Sequence, residues 1–231
     1  METQLEIVYE DDFIIAINKP AGLLVHRSKI ARDVKEFALQ ILRDQVGYHV
    51  TPIHRLDRKT SGVLLFAKNQ EFVHPFQLAL QNENTQKRYL AIVRGYFPDE
   101  ILVDHLLINE SGKKQEAVTK FRLLKQVEIP LPFGKFDTSR YSLIEALPKT
   151  GRMHQIRKHL NHLRHPIIGD RPHGCNKQNA LFLKEFGLEK MLLHAESLKI
   201  MHPFLEEELV IEAGLPGHFL EMSNQLQIVG F

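Results

Sequence analysis

The sequence predicts an α+β fold: a mixed, mainly antiparallel central sheet flanked by helices and loops, in one bilobed domain with a central cleft. Three observations lead there. β-rich runs outnumber stretches of helical periodicity, many adjoin through short turns, and the strand–helix alternation of a βαβ winding is missing. No internal repeat and no linker rich in Pro, Gly or Ser divides the chain, so residues 1–231 read as a single domain.

Leu5-Glu6-Ile7-Val8-Tyr9 and Phe13-Ile14-Ile15-Ala16-Ile17 flank the turn residues Glu10-Asp11-Asp12 and predict a hairpin. Lys19-Pro20-Ala21-Gly22 breaks it. Residues 34–46 carry apolar side chains at 34, 37, 38, 41, 42 and 46, the spacing of an amphipathic helix. Residues 54–62 are polar and irregular. Residues 63–67 read as a buried strand, 72–80 as a short helix, and 88–94, 118–124 and 141–147 as strands. Met153, Ile156, Leu160 and Leu163 place an apolar stripe on a helix over 151–163, with the basic and histidine residues on its other faces and Pro166 as a stop. A helix over 179–186 closes on Gly187, and short strands follow around Leu192 and Leu209.

Composition narrows the function. With 43% apolar and 25% charged residues, the chain can bury a core and is neither disordered nor collagen-like. It has no run near the roughly 18 apolar residues of a membrane span. Met1-Glu2-Thr3-Gln4 lacks the basic start and apolar stretch of a signal peptide, which places the protein in the cytoplasm. Its one cysteine, Cys175, excludes an internal disulfide framework and a multi-cysteine metal site. The net charge of +2 conceals an uneven distribution. Residues 1–12 hold five acids and no base, residues 140–171 seven bases against Glu145 and Asp170, and residues 181–231 eight acids against three bases. Such segregation suits one positive face for a polyanion, and equally suits ordinary solvated helix faces.

Three windows carry candidate chemistry. In Pro52-Ile53-His54-Arg55-Leu56-Asp57-Arg58-Lys59-Thr60-Ser61-Gly62, Asp57 lies among three cations that favour its ionised form, as a nucleophile requires. A turn or cap with Thr60 and Ser61 is the plainer role for such an aspartate. In Gln86-Lys87-Arg88-Tyr89, strand alternation sets Arg88 and Tyr89 on opposite faces, and a ring beside cations is what a nucleobase stacks on; an ordinary strand tyrosine looks the same. Around Gly151, the residues Arg152, His154, Arg157 and Lys158 cluster on a helix able to aim an arginine at a carboxylate or phosphate, or simply to face solvent. His159, His162 and His165 lack the His-Glu-x-x-His spacing of a zinc protease. Dinucleotide, P-loop and Gly-x-Ser-x-Gly motifs do not occur.

His54-Arg55-Leu56-Asp57 with Thr60-Ser61-Gly62 and Leu64-Leu65-x-Ala67-Lys68 resembles the catalytic signature of the RluA-type pseudouridine synthases. Further matches follow in order: Asn18-Lys19-Pro20-Ala21-Gly22 with Val25-His26, Lys87-Arg88-Tyr89-Leu90-Ala91, Thr150-Gly151-Arg152-Met153-His154-Gln155-Ile156-Arg157-Lys158-His159, His165-Pro166-Ile167-Ile168-Gly169-Asp170, and Leu193-His194-Ala195 with His202-Pro203. Ile200-Met201 stands where the family commonly has an aromatic. The resemblance implies isomerisation of uridine in RNA without a cofactor. It implies that Asp57 attacks the ribose C1′ or assists departure from it, that Tyr89 stacks on the extruded base, and that Arg157 pairs with the aspartate. It places Arg55 on the RNA; Arg58, Lys59, Lys87, Arg152, Lys158 and Arg164 are expected on phosphates, since extruding a base costs a few kcal/mol that such contacts offset. Phrases such as Asn18 to Ser28 and Glu185-Phe186-Gly187-Leu188 resemble family members that modify uridine 65 in the T-arm stem of tRNA, with ribosomal RNA as the alternative substrate. An S4-like N-terminal domain, a membrane and a protein partner are not implied, and a monomer is expected. Competing classes are a non-catalytic RNA-binding module, a zinc hydrolase, and a nucleoside glycosidase, which needs a second carboxylate near Asp57 that the sequence does not offer.

Overall fold

In the computed structural model, residues 4–26 and 36–228 are described. The first residues of the helix expected from position 34, Met1 to Thr3, and Arg27-Ser28 lie outside them. In chain order the elements are β1 (Glu6–Glu10), β2 (Ile14–Lys19), α1 (Ala38–Val46), β3 (Thr51–Pro52), β4 (Ser61–Ala67), α2 (Gln70–Ala79), β5 (Gln86–Arg94), β6 (Glu100–Asp104), β7 (Leu107–Ile108), β8 (Lys114–Gln115), β9 (Val118–Ile129), β10 (Ser139–Pro148), α3 (Gln155–His162), α4 (Asn176–Phe186), β11 (Leu193–Met201), β12 (Glu208–Glu212) and α5 (Gly217–Gln225). Strands dominate and their recorded pairings are antiparallel, so the α+β class expected from the sequence holds.

The chain divides into two compact units, one running to Lys87 with Ala195–Gly214 added, the other Arg88–His194 with the chain from Leu215 on. In the first, strands run in the order β1-β2-β4-β11, with β12 on β11 and β3 on β4. The β1–β2 hairpin forms as expected, its turn held by Asp11, whose carboxylate accepts the Phe13 and Ile14 amides at 2.7 Å. Every residue of β4 is buried, which is why its stretch reads as a continuous apolar run rather than an alternating one. One face of β2 and β4 (Ile14, Ala16, Val63, Leu65) packs on Phe76 of α2 and on Leu198, Ile200 and Ile211.

The second unit orders its strands β5-β10-β9-β6. Alternation along β5 divides the side chains between two cores. Leu90 and Ile92 join Leu143, Phe182 of α4 and Phe219 and Met222 of α5, while Ala91 and Val93 join Phe121, Ile144 and, from α3, Ile156 and Leu160. Tyr89 packs against this second cluster. Gly187 ends α4 with φ +65, the left-handed cap expected of it.

Several features depart from the sequence expectation, among them the following. Helix α3 begins at Gln155 rather than 151, because His154 takes φ +56 at its N-cap. Arg157 and His159 do not lie on a solvated face: both are buried, the first against Asp170 and the second with Nδ1 3.0 Å from the Thr119 hydroxyl. The helix α5 is additional to those read from periodicity.

Gly62, at φ +112, lies so close to β11 that a Cβ there would stand 2.0 Å from the carbonyl oxygen of Ala195. A side chain at 62 therefore collides with backbone. Gly62→Ala is expected to cost about 3 kcal/mol or more in urea unfolding, from overpacking and strain together. Gly47→Ala, at φ +77 with nothing within 4 Å of the added atom, should cost about 1 kcal/mol. Equal losses would refute the collision.

Candidate active site

In the first unit, Asp57 sits half-buried in the segment that joins β3 to β4. The segment is pinned at both ends. Ile53 is buried and its amide donates to Leu65 O (3.0 Å); at the other end the Thr60 amide donates to Asp57 O (3.1 Å), closing a turn over 57–60. His54 braces it further, its Nε2 accepting the Leu65 amide at 3.2 Å. Burial first, then the charge of Lys87, pushes the His54 pKa down to about 4, so the imidazole is neutral at pH 7 and suited to that acceptor role.

The clamp on this turn is Lys19. Its side chain is fully buried (0% exposed), and its Nζ donates to the carbonyls of Pro20 (2.9 Å), Leu23 (2.9 Å) and Arg58 (3.2 Å). An ammonium has three donors and no acceptor, so three carbonyls satisfy it completely. Desolvation pulls its pKa down to about 7, while the Asp57 carboxylate draws it back up. The same loop is tied a second way: Gly22 donates to Arg58 O at 2.8 Å, and Arg58 Nε donates to Gly22 O at 2.9 Å. Lys19 lay within a quoted motif but was not singled out, because only its burial distinguishes it from a surface lysine.

In the second unit, Arg157 projects from α3 and is 4% exposed. Asp170, 1% exposed, receives it in a fork, Nε to Oδ2 and Nη2 to Oδ1, both at 2.7 Å. This is the planar bidentate geometry that lysine cannot reproduce. Burial acts to raise the Asp170 pKa, but the Arg157 bonds and charge outweigh it and hold the carboxyl below its usual range. The receiving turn is built for the pair: Asn179 of α4 accepts the Gly169 amide and donates to Asp170 O, and the His173 amide donates to Oδ1. His173 also meets His154, Nε2 to Nδ1 2.9 Å apart. Upstream, buried Gln155 bonds the Thr150 hydroxyl, the Arg152 amide, Val118 O and the Thr119 hydroxyl, which fastens the 150–155 segment to β9.

The expected phosphate-facing cations divide into groups. Arg55 is exposed and makes no recorded side-chain contact among the described residues; Arg58 and Arg152 are exposed too, and Lys59 is half-buried. Arg152 Nε donates to Glu116 O and Lys158 Nζ to Ile108 O, so both also anchor the β7–β8 segment. Lys87 instead turns to Leu80 O at the end of α2 (3.0 Å), with a pKa lowered by burial. Tyr89 is half-buried, opposite Ala146 on β10, and neighbouring Arg88 is bound to Glu145 at 2.5 Å. Glu145 and Asp170, the two acids of the basic window, thus turn out to be arginine partners. Their isolation among seven bases was the available signal. Among the described residues no group of three or more His, Cys, Asp or Glu is arranged to hold a metal ion.

Residues 13–162 match a family model described as RNA pseudouridylate synthase. The chain is 48% identical over 235 residues to tRNA pseudouridine synthase C of Vibrio parahaemolyticus, covering 97% of this chain and 96% of that one. It is 46% identical over 231 residues to the protein of the same name from Pasteurella multocida, covering 95% of each. The solved structure of human RNA pseudouridylate synthase domain containing 4 superposes with a TM-score of 0.75 at 26% identity, covering 96% of this chain and 93% of that one. That of domain containing 1, at 23% identity, shares the fold with a TM-score of 0.72, covering 93% and 84%.

Two predictions follow from the buried cations. Arg157→Met should cost about 3–5 kcal/mol, since it leaves the buried Asp170 carboxylate without its guanidinium; Asp170→Ala should also destabilise, and the double variant should cost clearly less than the sum of the two. Additive losses in urea unfolding would show that the pair is not coupled. For Lys19, the folded pKa lies below the unfolded one, so between pH 7 and about 10 the unfolded chain binds more protons and stability rises with pH. The stability of the wild type relative to Lys19→Met should therefore increase across that window; a flat difference would place the folded pKa at its ordinary value.

Proposed function

This chain belongs to the RNA pseudouridylate synthase family, and from that premise we propose that it converts uridine 65 in the T-arm stem of tRNA to pseudouridine. It is an isomerase. The observation that carries the substrate reading is a likeness to tRNA-directed synthases that spans nearly the whole chain rather than the catalytic motifs alone.

Uridine and pseudouridine have the same formula. The N1–C1′ bond breaks with its electron pair going to the uracil, the base turns, and C5 bonds to C1′. The proton on C5 departs and N1 gains one, so neither redox nor phosphoryl chemistry is involved. Asp57 meets the electron demand at C1′, by adding to it or by assisting departure of the base. The turn clamped by Lys19 supports this role, because a nucleophile must be held within fractions of an ångström of its target. Tyr89 is the ring on which the extruded uracil stacks, and its phenol is a candidate acceptor for the C5 proton. Arg157, its plane set by Asp170, keeps the role that the resemblance implies, the arginine that orients the aspartate. Arg55, Arg58, Lys59, Arg152 and Lys158 contribute the phosphate contacts that offset base extrusion.

Transfer RNA carrying C5-tritiated uridine gives the direct assay. The wild type should release tritium, and tRNA with cytidine in place of uridine 65 should lose most of that release. Asp57→Asn is expected to reduce turnover at least about a thousandfold while still binding tRNA, as removal of a nucleophile does in other enzymes. Release undiminished in Asp57→Asn would remove Asp57 from the chemistry.

A further inference from the structure

The connection from β9 to β10 is a stiff aromatic tip. Pro130 and Pro132 precede it, and Phe133 and Phe136 close it by exchanging backbone hydrogen bonds, at 2.9 and 3.2 Å. Each ring carries a cation over its face: the Arg94 guanidinium lies 5.3 Å from the Phe133 centroid, and Lys135 Nζ 5.6 Å from that of Phe136. Phe136 is nevertheless 57% exposed. With the end of β5 and the start of β10, the tip encloses a cavity of about 160 Å³ lined in part by Arg94, Phe133, Phe136 and Arg140. Buried Tyr141 and Gln178 also line it, the Gln178 amide donating to the Tyr141 hydroxyl at 2.5 Å. Tyr89 and Arg157 do not line it.

Size and charge select the occupant. The cavity is well below the roughly 300 Å³ at which pockets for drug-sized molecules begin, so it suits one planar ring system. Arg140 is compensated by Glu128 at 3.2 Å, but Arg94 and Lys135 pair with no carboxylate among the described residues; Asp137 is the one acid within the tip itself. An exposed ring beside uncompensated cations forms the combination that binds single-stranded nucleic acid, with a base on the ring and phosphates on the cations.

We propose that this cavity is a second base-binding site, taking one unpaired nucleobase of the RNA substrate onto Phe136 with the attached phosphate on Arg94 and Lys135. The proposal rests on the RNA-directed reading above, and adds a contact outside the residues assigned to the reaction. Base stacking on an aromatic tolerates any sequence, so the site selects an unpaired nucleotide at a suitable position rather than a particular base.

The chain contains no tryptophan, which makes the site directly observable. Phe136→Trp keeps a stacking ring and installs a single reporter. Its emission, corrected for RNA absorbance, should fall on titration with tRNA and recover as salt is raised. Phe136→Ala should raise the KM for tRNA at least about fivefold with kcat unchanged, the lower end of the range for one stacked base. Constant emission in an active Phe136→Trp enzyme saturated with tRNA would overturn the proposal, as would an unchanged KM in Phe136→Ala. The two readings fail separately. Quenching without tritium release by the wild type would retain the base site and refute the isomerase assignment for tRNA; equal release kinetics in wild type and Phe136→Ala would do the reverse.

Discussion

A guanidinium taken out of water must bring its counter-charge with it, and the second unit is arranged around that requirement at Arg157. The desolvation of two ions is repaid only when the geometry is close to ideal and the remaining polar atoms are bonded. Here the fork to Asp170 meets the first condition, and the Asn179 and His173 contacts to the same turn meet the second. The demand spreads outward. Gly169 turns at φ +82 against the Lys190 carbonyl, and Gly174 lies where any Cβ would stand 1.8 Å from Asp170 O. His154 takes a left-handed conformation at the start of α3, and Gln155 bonds four polar neighbours. What looks in the sequence like a run of basic and polar residues on one helix is, physically, the support for a single oriented cation.

The first unit solves a related problem with different groups. Lys19 has no buried carboxylate in its hydrogen-bond shell; it has three backbone carbonyls. Carbonyl dipoles stabilise an ammonium less than a carboxylate does, which is why burial brings its pKa down to about 7, while Asp170 is held below its usual range. The two arrangements also differ in what they fix. The Arg157 fork fixes a side-chain plane, whereas Lys19 joins backbone from the 19–23 segment to backbone at Arg58, directly beside Asp57.

How much of this was legible follows from where each signal resides. The β1–β2 hairpin, β4 and the Gly187 cap of α4 depend on local pattern, and they stand where the sequence put them. The strand β9 runs to Ile129, past the expected 124, because its outer half alternates with exposed polar residues and gives little apolar signal. Helix α5 opens on Gly217, a poor helix former, and its apolar residues follow the helical period less strongly than those of α1 or α3, so it does not stand out. Arg157 was identifiable as special, but its burial was not, since that depends on an aspartate 13 residues away across a turn. For Lys87 the converse holds: standing beside Tyr89, it is readily legible as a cation, whereas its bond to the Leu80 carbonyl at the end of another element is not.

Net charge is a poor guide to the field a polyanion meets, and this chain shows why. Within residues 140–171, Glu145 is bound to Arg88 and Asp170 to Arg157, while Arg140 is bound to Glu128. Those pairs cancel locally and contribute little at a distance greater than a Debye length of about 8 Å. The cations that remain in the window include Arg152 and Lys158, whose recorded partners are neutral carbonyls. A hydrogen bond to a carbonyl orients an ammonium or guanidinium without neutralising it. The near-balance of 30 bases and 28 acids is therefore compatible with a positive surface, because the acids within the basic window are paired with arginines.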